Sequence, residues 1–313
     1  MSASAENSRS LCTEIIESTR SLFKSNVSHF HAISILFLLP IVLALVVYPS
    51  FHIALFHPNY NFTSFSLSNF EIIVLIVYTF SLVLFFLCAV ATTTYSAVQA
   101  YHDRPINVIS SIKSIRNSFF PLLYTFIILH AIFISITLVF SLIFVILVRI
   151  LQYLGLIELK HDSNHLLFYV IPSLIVLIPV LIWLLVNWSL AYAIAVVESK
   201  WGYETLRRSA NLVKGKRGVA FRIHLYYGLV ILIIVVNGSR FLGKGNQWRS
   251  LAVILQTALS SVMGFMIMNQ YLVANVVLCM YCKDFNGEKL IGDKFASEYV
   301  SLLVDDEKNH DDM

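Results

Sequence analysis

The sequence predicts an all-α membrane protein, with six transmembrane helices and amphipathic interfacial helices on the cytosolic side. Two observations carry that prediction. Apolar residues fill 58% of the 313 positions and charged residues only 13%, too few charges to cover a soluble surface of this size. The apolar residues also gather into six long runs almost free of charge, and mean hydropathy reaches +0.77. In hydrocarbon each backbone polar group must be satisfied within its own segment or in a closed barrel, and runs of this length suit helices.

Taken in order, residues 1–29 form a cytosolic segment with an amphipathic helix. Leu11, Ile15, Leu22 and Phe23 share one helical face there, with Glu14, Glu17 and Lys24 on the wet side. The segment lacks the basic, apolar, small-residue order of a cleavable signal peptide, so the first span is expected to act as an uncleaved anchor. The transmembrane domain covers 30–282, with spans predicted at Phe30–Phe51, Phe70–Tyr95, Phe119–Val148, Leu166–Val197, Val219–Val236 and Leu251–Cys282. Pro172 and Pro179 predict a kink in the fourth. Arg222 stands near the start of the fifth, where a long side chain can snorkel. Residues 283–313 form a cytosolic tail whose acidic end, from Asp305 to Met313, reads as disordered and solvated.

Charge assigns the sides. The segment before the first span, the second and fourth connections and the tail are rich in Lys and Arg, whereas the first connection has none. The positive-inside rule therefore places both termini in the cytosol. Asn61, in the triplet Asn61-Phe62-Thr63 of the first connection, is the candidate glycosylation site on the lumenal or exterior side. Two further amphipathic helices are expected on the cytosolic side. Val108, Ile112, Ile115 and Phe119 form a stripe before the third span, and Leu206, Ala210 and Val213 form one before the fifth. Each stripe would face acyl chains, with its basic side toward headgroups. The resulting threefold pattern of interfacial helix, span and return span fits an internal repeat and equally fits ordinary short connections.

The region from Glu198 to Gly218 has the densest specific character. Its basic residues Arg207, Arg208, Lys214, Lys216 and Arg217 are candidates for binding anionic lipid, weighed against a simple topology-setting role. Glu204 and Arg208 stand at the i,i+4 spacing of a helix-stabilising pair. Gly215 is placed to end the helix, and Gly218 to turn the chain into the fifth span. The run from Trp188 through Gly218 resembles a motif of plant multi-pass membrane proteins of unassigned function. More distantly, it resembles the membrane domain fused to some bacterial glycerophosphodiester phosphodiesterases. Glu198, Gly202, Leu206, Arg207, Arg208, Ser209, Leu212, Lys214 and Gly215 carry the likeness. It implies architecture and a plant origin rather than hydrolysis, because the soluble hydrolase barrel of the fused relatives is not in this sequence.

Polar residues within the runs are His130, Asn187, Gln256, Asn269, Gln270 and Asn275, together with Thr92, Thr93 and Thr94. Interhelical hydrogen bonding is the default role of such groups, and a solute route is the alternative. Cys279 and Cys282 form one C-x-x-C at the cytosolic end of the last span. A single pair cannot complete a four-ligand zinc site, which leaves palmitoylation or small buried thiols. No H-E-x-x-H, G-x-S-x-G or nucleotide-loop pattern occurs, so the reading contains no enzyme, catalytic residue, cofactor, metal or nucleic-acid partner. The expected partners are the lipid bilayer, anionic lipids and other membrane proteins. The expected role is structural or regulatory, in membrane organisation or trafficking, with a transporter or channel for a small solute or lipid as the alternative. The endoplasmic reticulum or another endomembrane is favoured over the plasma membrane.

Overall fold

The computed structural model describes residues 2–46, 69–154, 165–242 and 251–288, and each regular element among them is a helix. The expected glycosylation site Asn61 and the tail from Lys289 onward lie outside the described residues. The chain begins with α1 (Ser2–Ser25), followed by α2 (Val27–Val46), α3 (Asn69–Tyr101) and α4 (Val108–Tyr153). Then come α5 (His165–Asn187), α6 (Ala191–Val197) and the short α7 (Tyr203–Leu212). The last two helices are α8 (Arg217–Leu242) and α9 (Leu251–Phe285). Six stretches are long and apolar enough to cross a membrane: α2, α3, α4, Ile175–Val197 from α5 into α6, Arg217–Gly238 of α8, and Leu255–Phe285 of α9.

The outer faces of these helices are apolar. Phe80, Leu138, Ile143, Ile175, Leu232 and Leu259 are all more than half exposed. In water an apolar surface this extensive would be a liability, whereas against acyl chains it costs nothing. Inside the bundle, small residues let backbones approach closely: Ala89, Ala91, Thr92, Thr93, Ser96 and Ala97 of α3 are each fully covered. The largest buried cluster lies at one end of the bundle. It joins Leu11, Ile15 and Phe23 of α1 to Val219, Ile223 and Tyr227 of α8 and to Val273–Cys282 of α9.

That cluster corrects the expected orientation of the interfacial helices. The stripe of α1 is buried by α8 and α9, so its apolar side meets protein rather than acyl chains. The stripe of α7 also turns inward, with Thr205, Leu206, Ser209 and Leu212 buried. Before the third span no separate helix exists. α4 runs unbroken for 46 residues, about 69 Å at ~1.5 Å per residue, and so extends far beyond a ~30 Å hydrocarbon layer. Its inward stripe is Ser111, Ser114, Ser118 and Thr125, while Ile109 and Ile112 face outward. The hydroxyls make this stripe burial-competent by bonding locally: Ser111 donates to the Asn107 carbonyl at 3.0 Å and Ser114 to that of Ser111 at 2.6 Å.

Helix irregularities differ from expectation as well. Pro172 and Pro179 both lie within the continuous α5, and the break comes later, at 188–190, between α5 and α6. Gly218 lies inside α8 rather than at a turn, whereas Gly215, at φ +91°, occupies the turn after α7. α2 contains a π segment, Ser34–Leu38. At its start the Asn269 amide donates to the Phe30 carbonyl at 3.1 Å and contacts the Ser34 hydroxyl. A side chain inserted into the backbone ladder is an ordinary cause of such a widened turn.

Candidate functional site

An acid at the end of a span, next to a basic connection, must find partners if the fold buries it. Glu198 follows α6 directly and its side chain is only 16% exposed. Lys283, from the last turn of α9, donates to its Oε1 at 2.7 Å. Lys200 and Arg208 each approach Oε2 at 3.4 Å. Arg208 continues to Glu288, and Lys200 to Glu204 at 3.2 Å. Burial alone would raise the Glu198 pKa, but the hydrogen bond from Lys283 and the charges of Lys283, Arg208 and Lys200 outweigh it and hold the carboxyl below its usual range. The result is an alternating network of acids and bases that ties the α6–α7 connection to the end of α9.

The backbone of the same connection is fixed by close approach. Ser199 at φ +50° and Gly202 at φ +54° are both left-handed, so the chain reverses sharply between α6 and α7. A Cβ at Gly202 would lie 2.5 Å from Cε1 of Tyr124, so a larger residue would have to displace that ring as well as adopt a φ that favours glycine. The Gly202 N–H donates to Thr125 Oγ1 at 3.0 Å. Ser209 closes the other side, donating to the Asn187 carbonyl at 2.8 Å and accepting from the Leu190 N–H at 3.2 Å. It thereby satisfies backbone groups released where α5 breaks. Glu198, Gly202, Leu206, Arg208, Ser209 and Leu212 thus act together in the packing and bonding of this connection.

The predicted basic cluster is divided. Arg208 turns inward to Glu198 and Glu288, and so does not pair with Glu204 as its spacing suggested. Lys216 lies 4.1 Å above the ring of Phe285, and the Arg217 guanidinium is 5.9 Å from the ring of Trp183. Arg207, Lys214 and Arg217 are exposed. Cys279 and Cys282 are free thiols, 0% and 1% exposed within the large cluster.

The intramembrane polar residues do not converge on one point. His130 is exposed on α4, its Nδ1 bonded to the Phe126 carbonyl at 2.8 Å. Asn269 reaches α2, as described above, while Gln256 and Gln270 are half-buried on α9. Asn187 donates to the Trp183 carbonyl at 2.6 Å, and Asn275 to that of Tyr271 at 2.9 Å. Asn275 lines a partly open cavity of about 120 Å³ between α3, α4, α5, α6, α8 and α9, with Thr94, Ser189, Tyr192, His224 and Tyr271 also on its wall. Sequence reasoning did not select Lys283, Ser189, Tyr192, His224 or Tyr271. A histidine within an apolar run was the available signal for His224. Lys283 gave none, since a lysine after a span reads first as a topology mark.

Fold and site together define a class: a helical protein with six helices able to cross a membrane, closed at one end by an ion-paired clasp. Within that class the chain belongs to the family described as Domain of unknown function (DUF8558), whose model matches residues 11–303. The match runs through α1 and all six candidate spans, the same elements that share the buried clusters. No curated protein and no solved structure matches the chain.

Proposed function

We propose that this chain is a non-enzymatic integral membrane protein with a structural or regulatory role in membrane organisation or trafficking. Both termini and the α6–α7 connection face the cytosol, and the endoplasmic reticulum or another endomembrane of a plant cell is its favoured location. The observation that carries the reading is the division of charge in the fourth connection. Arg208 is committed inward to the Glu198 clasp, while Arg207, Lys214 and Arg217 point outward. An ion-paired, well-packed base supports a fixed scaffold, and outward cations beside spanning helices suit anionic headgroups.

The transporter reading draws on the six spans, on Pro172 and Pro179, and on a polar group of Asn187, Asn269, Gln270 and Asn275. Asn187, Asn269 and Asn275 instead bond separately, to the Trp183 carbonyl, to α2 and to the Tyr271 carbonyl. Separate local bonds favour helix-to-helix adhesion over a shared solute site. The discriminating experiment is a solute-flux profile with the purified protein in sealed liposomes. The expected outcome is no protein-dependent flux above empty liposomes. Saturable flux of one solute, reduced by Asn269→Ala and Asn275→Ala, would overturn the scaffold reading.

A further inference from the structure

The outward face of α4 changes character in an order that matches the layers of a bilayer. From its start this face carries Arg116, then Phe120 and Tyr124, then Ile127, Ile134 and Leu138, all exposed. The 24 positions from Thr125 to Val148 contain no Asp, Glu, Lys or Arg, and Arg149 closes them. Tyr124 and Arg149 stand 25 residues apart, about 38 Å along the helix at ~1.5 Å per residue. Tilted by ~20°, that length covers ~35 Å of depth, the ~30 Å hydrocarbon layer plus a thin interfacial margin on each side. The buried serines of α4 fall on the other side of the same mark, since Ser111, Ser114 and Ser118 all precede Tyr124.

The α6–α7 connection meets α4 at that level. Gly202 is seated against the Tyr124 ring, and its N–H donates to the next residue, Thr125. Trp201 and Tyr203, the chain neighbours of Gly202, are both more than half exposed, so they emerge on the outside of the bundle beside this stretch of α4. Arg207 follows Tyr203 by one turn of α7 and is exposed, as Arg116 precedes Phe120 by one turn of α4. Each helix thus presents an aromatic ring with a guanidinium one turn away. Trp and Tyr have an apolar body and a polar tip and concentrate where acyl chains meet headgroups, while Arg reaches the phosphates. The acid among them, Glu204, is paired with Lys200 at 3.2 Å, so the surface stays cationic.

We propose that Phe120, Tyr124, Trp201 and Tyr203 form one surface seated at the headgroup–acyl boundary of the cytosolic leaflet, with Arg116 and Arg207 on its phosphate side. Its partner is the phospholipid of that layer. The proposal rests on the membrane-spanning reading and deepens it by fixing the depth of the chain. The third span then runs from Thr125 to Val148, and the roughly four turns of α4 before Tyr124 stand on the cytosolic side of the hydrocarbon. The close contact at Gly202 holds the two aromatic residues of the connection at the depth that α4 sets.

The test uses the full-length protein with Cys88→Ala, in nanodiscs of phosphatidylcholine and phosphatidylserine. Nitroxide labels are attached one at a time through Asn117→Cys, Tyr203→Cys and Leu138→Cys, all exposed positions. The parent with Cys88→Ala alone, whose remaining thiols are buried, is the labelling control. Collision with oxygen, which concentrates in hydrocarbon, and with a water-soluble nickel chelate reports the depth of each label. The label at Tyr203 should lie at the boundary, about 10 Å deeper than that at Asn117 and about 20 Å shallower than that at Leu138, from ~1.5 Å per residue along α4. A Tyr203 label as shielded from nickel as Leu138 would overturn the proposal and put this surface among acyl chains. One as open to nickel as Asn117 would overturn it by putting the surface in water. Nickel access at Leu138 would instead defeat the membrane-spanning reading itself. Trp201 gives a second measurement that needs no label. The emission lost in Trp201→Phe should be quenched more by lipids brominated high on the acyl chain than by those brominated near its end, and the reverse order would also overturn the proposal.

Discussion

Glu198 concentrates the electrostatics of the fold in one carboxylate. A buried charge is expensive unless partners repay its lost hydration, and here Lys283, Lys200 and Arg208 surround it. Lys283 has the greater exposure to loss, because it is only 5% exposed and its ammonium is bonded to Glu198. Glu198→Gln should therefore destabilise the protein by about 3 kcal/mol at neutral pH, measured by thermal unfolding in micelles. Replacing both partners, Glu198→Leu with Lys283→Met, should recover much of that loss, since neither charge is then stranded. The pH dependence has a definite sign. The folded-state pKa of Glu198 is lowered, so its contribution is fully present above the ordinary carboxylate value of 4.5 and lost as pH falls through the depressed folded value. The gap between the native protein and Glu198→Gln should be flat from pH 8 to about 5 and should close only in stronger acid. A gap that closes between pH 8 and 6 would show that another group controls it.

Among the elements, the α6–α7 connection is the one whose backbone leaves least freedom. Gly202 combines a left-handed φ with the ring of Tyr124 where its Cβ would be, whereas Gly215, at φ +91°, has open space around it. Gly202→Ala should cost about 3 kcal/mol from strain and clash together, and Gly215→Ala only about 1 kcal/mol from strain. Adding Tyr124→Ala to Gly202→Ala should remove the clash component while leaving the strain, which denaturant unfolding of the three variants would separate. This element also marks the boundary of what the sequence reveals. The six apolar runs are legible because hydropathy within one run decides whether a helix can lie in lipid. The stripes Leu11–Phe23 and Leu206–Val213 are legible as helical faces, but periodicity does not distinguish acyl chains from a neighbouring helix as the covering. Arg208 reads as one cation among five until α9 delivers Lys283 to the same carboxylate. That approach is a tertiary event with no local signature, and the same holds for the cavity, whose wall comes from six helices.

At the scale of the whole molecule, the division of the basic cluster has a consequence for lipid binding. Arg207, Lys214 and Arg217 are exposed on the connection, and Arg104, Lys113 and Arg116 are exposed on the connection before α4 and on its first turns. Each cation near an anionic surface contributes ~1 kcal/mol at low salt, and that contribution falls as salt screens it. Arg208 stands outside this sum, because its guanidinium is already engaged by Glu198 and Glu288. Phosphatidylserine retained by the purified protein, quantified by mass spectrometry after exchange into mixed bilayers, tests the distinction. The triple change Arg207→Gln, Lys214→Gln and Arg217→Gln should weaken retention by up to about a hundredfold, three contributions of ~1 kcal/mol, with little effect on unfolding temperature. Arg208→Gln should do the reverse, lowering the unfolding temperature while retention stays within about twofold, because it breaks the clasp and removes no outward charge. Loss of retention in Arg208→Gln alone would mean that the clasp opens at the membrane and that Arg208 exchanges Glu198 for a headgroup.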